Sequence, residues 1–246
     1  MRFRYLAWAA ATGLFLLSPA ALALPIDSFI DDFPPNPDLP LSGRAMIFVG
    51  TTCDGGSCPP NPIVTHTTDF ADQVGLPGVM GGARRADIFQ TVGTANSLIA
   101  GTVGVLTFNH NAGASAILDL DYGAVTDLDA DLTFGAATAL EFDMSGDMGA
   151  SVPTRPVPCT ITVTSGRGTP GETTTSAAQD LIFDGLYSYP FASFAGVDFT
   201  DVDRIQIRFD ASLVNAVDFA VFAIHTNEVP VPVEDTTWGR LKALYK

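Results

Sequence analysis

Hydrophobic and polar positions are most regular between residues 197 and 224, which read as two β-strands. In the first, Val202 starts out of phase, and from Arg204 polar and apolar residues alternate. Ile205, Ile207 and Phe209 point one way, while Arg204, Gln206 and Arg208 point the other. That is the signature of a strand with one buried and one wet face. The second, residues 217–224, is almost wholly apolar, as a central strand covered on both faces would be.

The same reading carries along the chain. Short strands are expected at the start of the mature protein (26–33), at 44–49, 63–70, 86–92, 128–134, 139–144, 160–164 and 180–183. Residues 98–108 and 114–120 read as a hairpin around Asn109, His110, Asn111, Ala112 and Gly113, which tolerate left-handed backbone. A turn is expected at 76–82, a long loop at 50–62 and a Gly/Thr loop at 165–176. Helix signals are nearly absent: between residues 24 and 228 there is no lysine and little glutamate, while Thr, Val, Gly and Asp abound. The fold class is therefore all-β, an antiparallel β-sandwich or jelly roll of about ten strands.

The two ends read differently. Arg2 and Arg4, the apolar run 6–17 and the small residues Ala21 and Ala23 make residues 1–23 a signal peptide, too short in its apolar part to span a membrane. Residues 24–228 form the sandwich domain. Residues 229–246 form an extended Val/Pro spacer and a basic tail carrying Trp238 and the chain's lysines, Lys242 and Lys246. The expected location is outside the cell.

Charge narrows the partners. Lys+Arg number 12 against 27 Asp+Glu, a balance unsuited to nucleic acid and compatible with solubility outside the cell or with divalent cations. Cys53 and Cys58 enclose Asp-Gly-Gly-Ser and read as a local disulfide, with a metal site as the weaker alternative. Cys159 reads as a small buried residue in a strand.

No nucleophile elbow, zinc-protease helix, phosphate loop or Cys-x-x-Cys is present, and His66, His110 and His225 are far apart. No catalytic residue is assigned. The aspartates offer cation chemistry at two places. Asp127, Asp129 and Asp131 alternate with Leu128, Ala130 and Leu132, so they read as the wet face of a strand, with calcium as the second reading. Leu132 stands where an EF-hand loop needs glycine. Asp31 and Asp32 on the first strand and Asp218 on the last are the stronger metal candidates, because first and last strands of a sandwich are often neighbours. A buried Asp218 would need a cation or one of Arg84, Arg85, Arg204 and Arg208.

Three segments carry a resemblance: Ile30-Asp31-Asp32-Phe33, Val79-Met80-Gly81-Gly82-Ala83-Arg84-Arg85, and residues 197–205. Together they resemble secreted bacterial surface proteins with a carbohydrate-binding-type jelly roll, many of them exosortase-sorted (PEP-CTERM). The chain's end departs from that group in having Val-Pro-Val-Pro without a following anchor helix. The resemblance implies a non-enzymatic surface or matrix protein that binds polysaccharide or other surface proteins. Tyr187, Tyr189, Phe191 and Phe194, clustered in one expected loop, are the candidate sugar-stacking residues, with capping of the core as their other reading. A polysaccharide lyase or hydrolase and a self-assembling structural subunit are the alternatives.

Overall fold

The computed structural model describes residues 23–29, 46–52, 64–66, 68–92, 97–102, 104–110, 114–147, 156–182, 184–214 and 217–227. Residues 1–22 of the expected signal peptide, Asp31, Asp32, Cys53, Cys58 and the residues from 228 onward lie outside the described residues.

The described residues form fourteen strands, more than the alternation alone resolves. The first seven are β1 (Pro25–Asp27), β2 (Met46–Thr52), β3 (Val64–His66), β4 (Thr68–Val74), β5 (Ala83–Val92), β6 (Ser97–Thr102) and β7 (Val105–His110). There follow β8 (Ser115–Tyr122), β9 (Ala139–Asp147), β10 (Val157–Ser165), β11 (Thr173–Leu181), β12 (Gly185–Pro190), β13 (Val202–Asp210) and β14 (Asp218–Thr226). They make two sheets in which every pairing is antiparallel. One is six-stranded, in the order β11-β10-β13-β8-β5-β4. The other is eight-stranded, in the order β12-β9-β14-β7-β6-β2-β3, with β1 added beside β14.

The core lies between the sheets and is built by period-two alternation. On β13, Ile205, Ile207 and Phe209 are buried while Arg208 is exposed, as their spacing predicts. Across the gap the rings interlock. Phe142 of β9 meets Phe209 edge-on at 5.7 Å, and Phe219 of β14 lies 5.1 Å from Phe108 and 5.2 Å from Phe209. Cys159 is free and fully buried among them on β10.

The first strand is fixed to the last, as expected, with Pro25 opposite His225 and Asp27 opposite Ile224. What anchors it is a buried polar cluster. Asp27 Oδ2 accepts from Arg84 at 2.6 Å and from the Tyr122 hydroxyl at 3.0 Å, while Oδ1 accepts from the Phe29 amide at 2.8 Å. Arg84 Nε donates to Gln73 at 2.9 Å, and its guanidinium lies over the Phe29 ring at 5.7 Å. Burial pushes the Asp27 carboxyl upward, against the pull of Arg84.

Several local expectations change. Residues 98–108 are two strands, β6 and β7, turned at Gly104 with φ +82°. Strand β7 belongs to the eight-stranded sheet and β8 to the six-stranded one, so the expected hairpin partners lie in different sheets. Residues 128–134 are a loop joined to the sandwich by a bridge from Ala130 to Val202. Leu128 and Leu132 still turn inward and Asp127, Asp129 and Asp131 outward, so the alternation was right and the element was not. Residues 185–190, expected as loop, are strand β12.

Candidate functional site

The outer faces of the two sheets differ in how their charge is satisfied. On the six-stranded sheet, side chains form ladders running across the strands. Arg208 grips Asp119 of β8 with both ends of its fork at 2.7 Å. Arg204 grips Asp121 in the same way, with Nε at 2.9 Å. Arg85 holds Asp72 of β4 at 2.5 and 2.7 Å. Toward the β11 edge the ladder turns to hydroxyls, Thr162 to Ser176 at 2.7 Å and Thr164 to Thr174 at 2.9 Å. Asp87 sits within this lattice. Burial pushes its carboxyl up, Arg85 pulls it down, and Asp119, Asp72 and Asp121 push it further up.

Each arginine among the described residues has a carboxylate partner: Asp27 for Arg84, Asp72 for Arg85, Asp127 for Arg167, Asp121 for Arg204 and Asp119 for Arg208. None of them is on the outer face of the eight-stranded sheet. There β9 presents Glu141, Asp143 and Ser145, β12 presents Leu186 and Ser188, and β14 presents Asp218, Ala220 and His225. The register sets Glu141 between Ser188 and His225, and Asp143 between Leu186 and Ala223.

An aromatic ring stands in the middle of this face. The β9–β14 register shifts between Val221 and Ala223, so Phe222 is the extra residue of a bulge and its side chain is 43% exposed. The bulge has a structural cause. Strand β7 pairs β14 as far as Val221 and β1 takes over at Ile224, so Phe222 falls where β14 changes partner. Leu186, 55% exposed and two strands away, adds a second apolar contact.

The aromatic residues expected to stack sugar are placed otherwise. Tyr189 and Phe194 are buried, and Tyr189 donates its hydroxyl to the Cys159 carbonyl at 3.1 Å. Tyr187 stacks on Phe142 at 5.6 Å and accepts from the Ile182 amide, while Phe191 stacks on Phe199 at 3.9 Å. They cap the core because β12 alternates, turning both tyrosines inward and Leu186 and Ser188 outward. This corrects the ligand-binding assignment for Tyr189 and Phe194. Nothing in the 217–224 run marked Phe222 for exposure, since a bulge depends on the neighbouring strands. The Tyr-Ser-Tyr alternation was the available sign of β12.

Asp218 is likewise exposed, the first outward residue of β14, which corrects the expectation of a buried acid. Arg84, one of its expected partners, serves Asp27 instead. A different trio of acids converges, with carboxylate oxygens of Asp129, Asp201 and Asp203 all within 4.8 Å of one another. Asp203 is buried and accepts from the Arg167 amide at 2.6 Å, while the Arg167 guanidinium is directed to Asp127 and to the Gly123 carbonyl.

No protein-family model matches the chain, and no curated protein matches it in sequence. Among solved structures it is similar to the family 11 carbohydrate-binding module of the cellulosomal cellulase Lic26A-Cel5E of Clostridium thermocellum. That match has 12% identity and a TM-score of 0.34 over 68% of this chain and 91% of that one. A family 29 carbohydrate-binding module, in a D114A mutant, gives 13% identity and a TM-score of 0.32, over 65% of this chain and 85% of that one. An exo-beta-agarase gives 11% and 0.35, over 58% of this chain and 23% of that one. The fold itself is an all-β sandwich of two antiparallel sheets with almost no helix.

Proposed function

We propose that this protein is a non-enzymatic, secreted bacterial surface or matrix protein that binds an uncharged polysaccharide on the outer face of its eight-stranded sheet. The observation that carries this reading is Phe222, turned out by its bulge beside a row of carboxylates and hydroxyls. An exposed ring gives the apolar face of a sugar a stacking surface, and Glu141, Asp143, Ser145 and Ser188 supply hydrogen-bonding groups for its hydroxyls. The same acids, with no arginine of the described residues beside them, disfavour an anionic glycan.

The test is retention on a panel of insoluble neutral glycans, repeated with Phe222→Ala. Loss of the ring is expected to weaken binding about tenfold, equivalent to about 1.4 kcal/mol. Phe89→Ala, on the opposite sheet, is expected to leave retention unchanged. Equal retention of all three proteins would rule out this face, and release of new reducing ends would make the protein an enzyme.

Calcium, expected from the sequence at Asp31, Asp32 and Asp218, is proposed as a structural ion at Asp129, Asp201 and Asp203. The support is the convergence of three carboxylates where the nearby guanidinium is already paired. Calcium is then expected to raise the unfolding midpoint relative to chelator, and Asp201→Asn to remove the difference.

A further inference from the structure

We propose that β11 is a homodimerisation edge, pairing antiparallel with β11 of a second copy about a two-fold axis through Ala177. The six-stranded sheets would thereby join into one continuous sheet.

The starting observation is how unequally the four sheet edges are protected. A free edge offers unpaired amides and carbonyls to any passing strand, and proteins blunt such edges with brevity, charge, proline or bulges. Strand β3 has three residues, β12 is short and ends at Pro190, and β4 carries Asp69 and Asp72. Strand β11 has none of these. It runs nine residues, pairs β10 without a register shift, contains no proline and has Asp180 as its one charge. Its side chains alternate regularly between half-buried and exposed positions, and the neighbouring segment meets it through inward-facing groups, Thr175 to the Ala195 carbonyl and Gln179 to that of Ser188. Among the described residues, no backbone group of residues 174–180 bonds beyond the β10 ladder.

Charge and sequence select a second copy as the occupant. The chain has a formal net charge of −15, which opposes self-association, so a second copy can pair only along an edge that sets no like charges opposite each other, as β11 does. Reading Thr173–Leu181 against itself about Ala177 sets Thr174 opposite Asp180, Thr175 opposite Gln179 and Ser176 opposite Ala178. Outward residues meet outward residues, and each carboxylate meets a hydroxyl donor. The two Asp180 side chains fall about 20 Å apart along the strands, well beyond the roughly 8 Å screening length at physiological salt.

The pairing predicts a charge-swap result, read by sedimentation over a concentration series. Wild type is expected to dimerise. Ser176→Lys with Ala178→Lys sets like charges opposite each other and is expected to weaken the dimer at least tenfold. Ser176→Lys with Ala178→Glu sets opposite charges together and is expected to dimerise as wild type does. Both positions are exposed, and unchanged unfolding midpoints would show that the variants fold. A monomeric wild type, a dimer unaffected by the paired lysines, or equal loss in both variants would overturn the proposal. Hydrogen exchange in the wild type is an independent check. Protection of the 174–180 amides is expected to rise with protein concentration; full protection at high dilution would mean that another part of the same chain covers the edge.

Discussion

The guanidinium of Arg84 and the carboxylate of Asp27 meet at 2.6 Å, and neither side chain has any exposed surface. Through this pair the three-residue strand β1 is tied to β5, with Tyr122 of β8 and Gln73 of β4 completing the cluster. A buried pair of this kind gains little over a well-packed apolar substitute, but breaking it leaves a charge without a partner. Arg84→Met is therefore expected to cost about 3–5 kcal/mol, because Asp27 remains buried. Asp27→Asn combined with Arg84→Met should cost less than the sum of the two single changes, with a coupling of about 0.5–3 kcal/mol. Urea unfolding of the four proteins measures this; additive losses would refute a coupled pair.

Asp87 should make the protein less stable at neutral pH than it would be with a neutral side chain there. Its carboxyl is raised in the folded protein, chiefly by burial, so the folded state binds a proton more tightly than the unfolded chain. Stability then falls as pH rises from the ordinary carboxylate range through the raised value, and stays lower above it. Asp87→Asn removes that loss and is expected to raise the midpoint by about 1–3 °C at pH 7. The gain should disappear below the ordinary carboxylate pKa. Asp72 behaves oppositely: its hydrogen bonds from Arg85 lower its carboxyl, so its contribution is present at neutral pH and lost as pH falls through the lowered value. A midpoint for Asp87→Asn equal to that of wild type at pH 7 would contradict the account.

Cys159 should be chemically silent until the sandwich opens. It is fully buried on β10, and burial pushes its thiol up to about 12. Thiolate is the reactive form, so both access and ionisation are suppressed at neutral pH. A thiol reagent added to the native protein is expected to leave Cys159 unmodified for hours and to label it promptly in denaturant. Rapid native labelling would place the sulfur at the surface and overturn its burial on β10.

How far these features could be read in advance depends on whether their cause is local. The alternation Arg204, Ile205, Gln206, Ile207 is a property of β13 alone, and its inward and outward faces are as expected. So is the buried position of Cys159. Leu128, Ala130 and Leu132 show the limit of the same signal, because a loop pinned by one bridge to Val202 can alternate as a strand does. The candidate binding ring was not legible. Phe222 is exposed because β14 exchanges β7 for β1 at that point, a relationship spread over three distant segments. Asp218 follows the same rule: an apolar run predicts cover on both faces, while the eight-stranded sheet leaves Asp218 and Phe222 exposed on its outer face.

Gly146 is the residue on which that face most depends without contributing a side chain to it. It lies opposite Phe219 on β14, and a Cβ built at Gly146 would stand 2.4 Å from the Asp218 carbonyl and 2.6 Å from Phe219 Cα. These are backbone atoms, so no rotamer change can relieve the contact. Gly146→Ala must push β9 away from β14 beside Phe219, which packs against both Phe108 and Phe209. The expected loss is about 1–3 kcal/mol, in the range of overpacking, read as a lower urea midpoint. Because the strand pair displaced is the one that carries Asp143 and Phe222, glycan retention should fall even under conditions where the variant remains folded. Gly75→Ala is the control for a generic cost of replacing glycine. Gly75 has a positive φ, at +72°, which Gly146 lacks, but a Cβ there meets nothing within 4 Å. It should lose stability through backbone strain and keep full retention, so a matching loss of retention would detach the binding face from the spacing of β9 and β14.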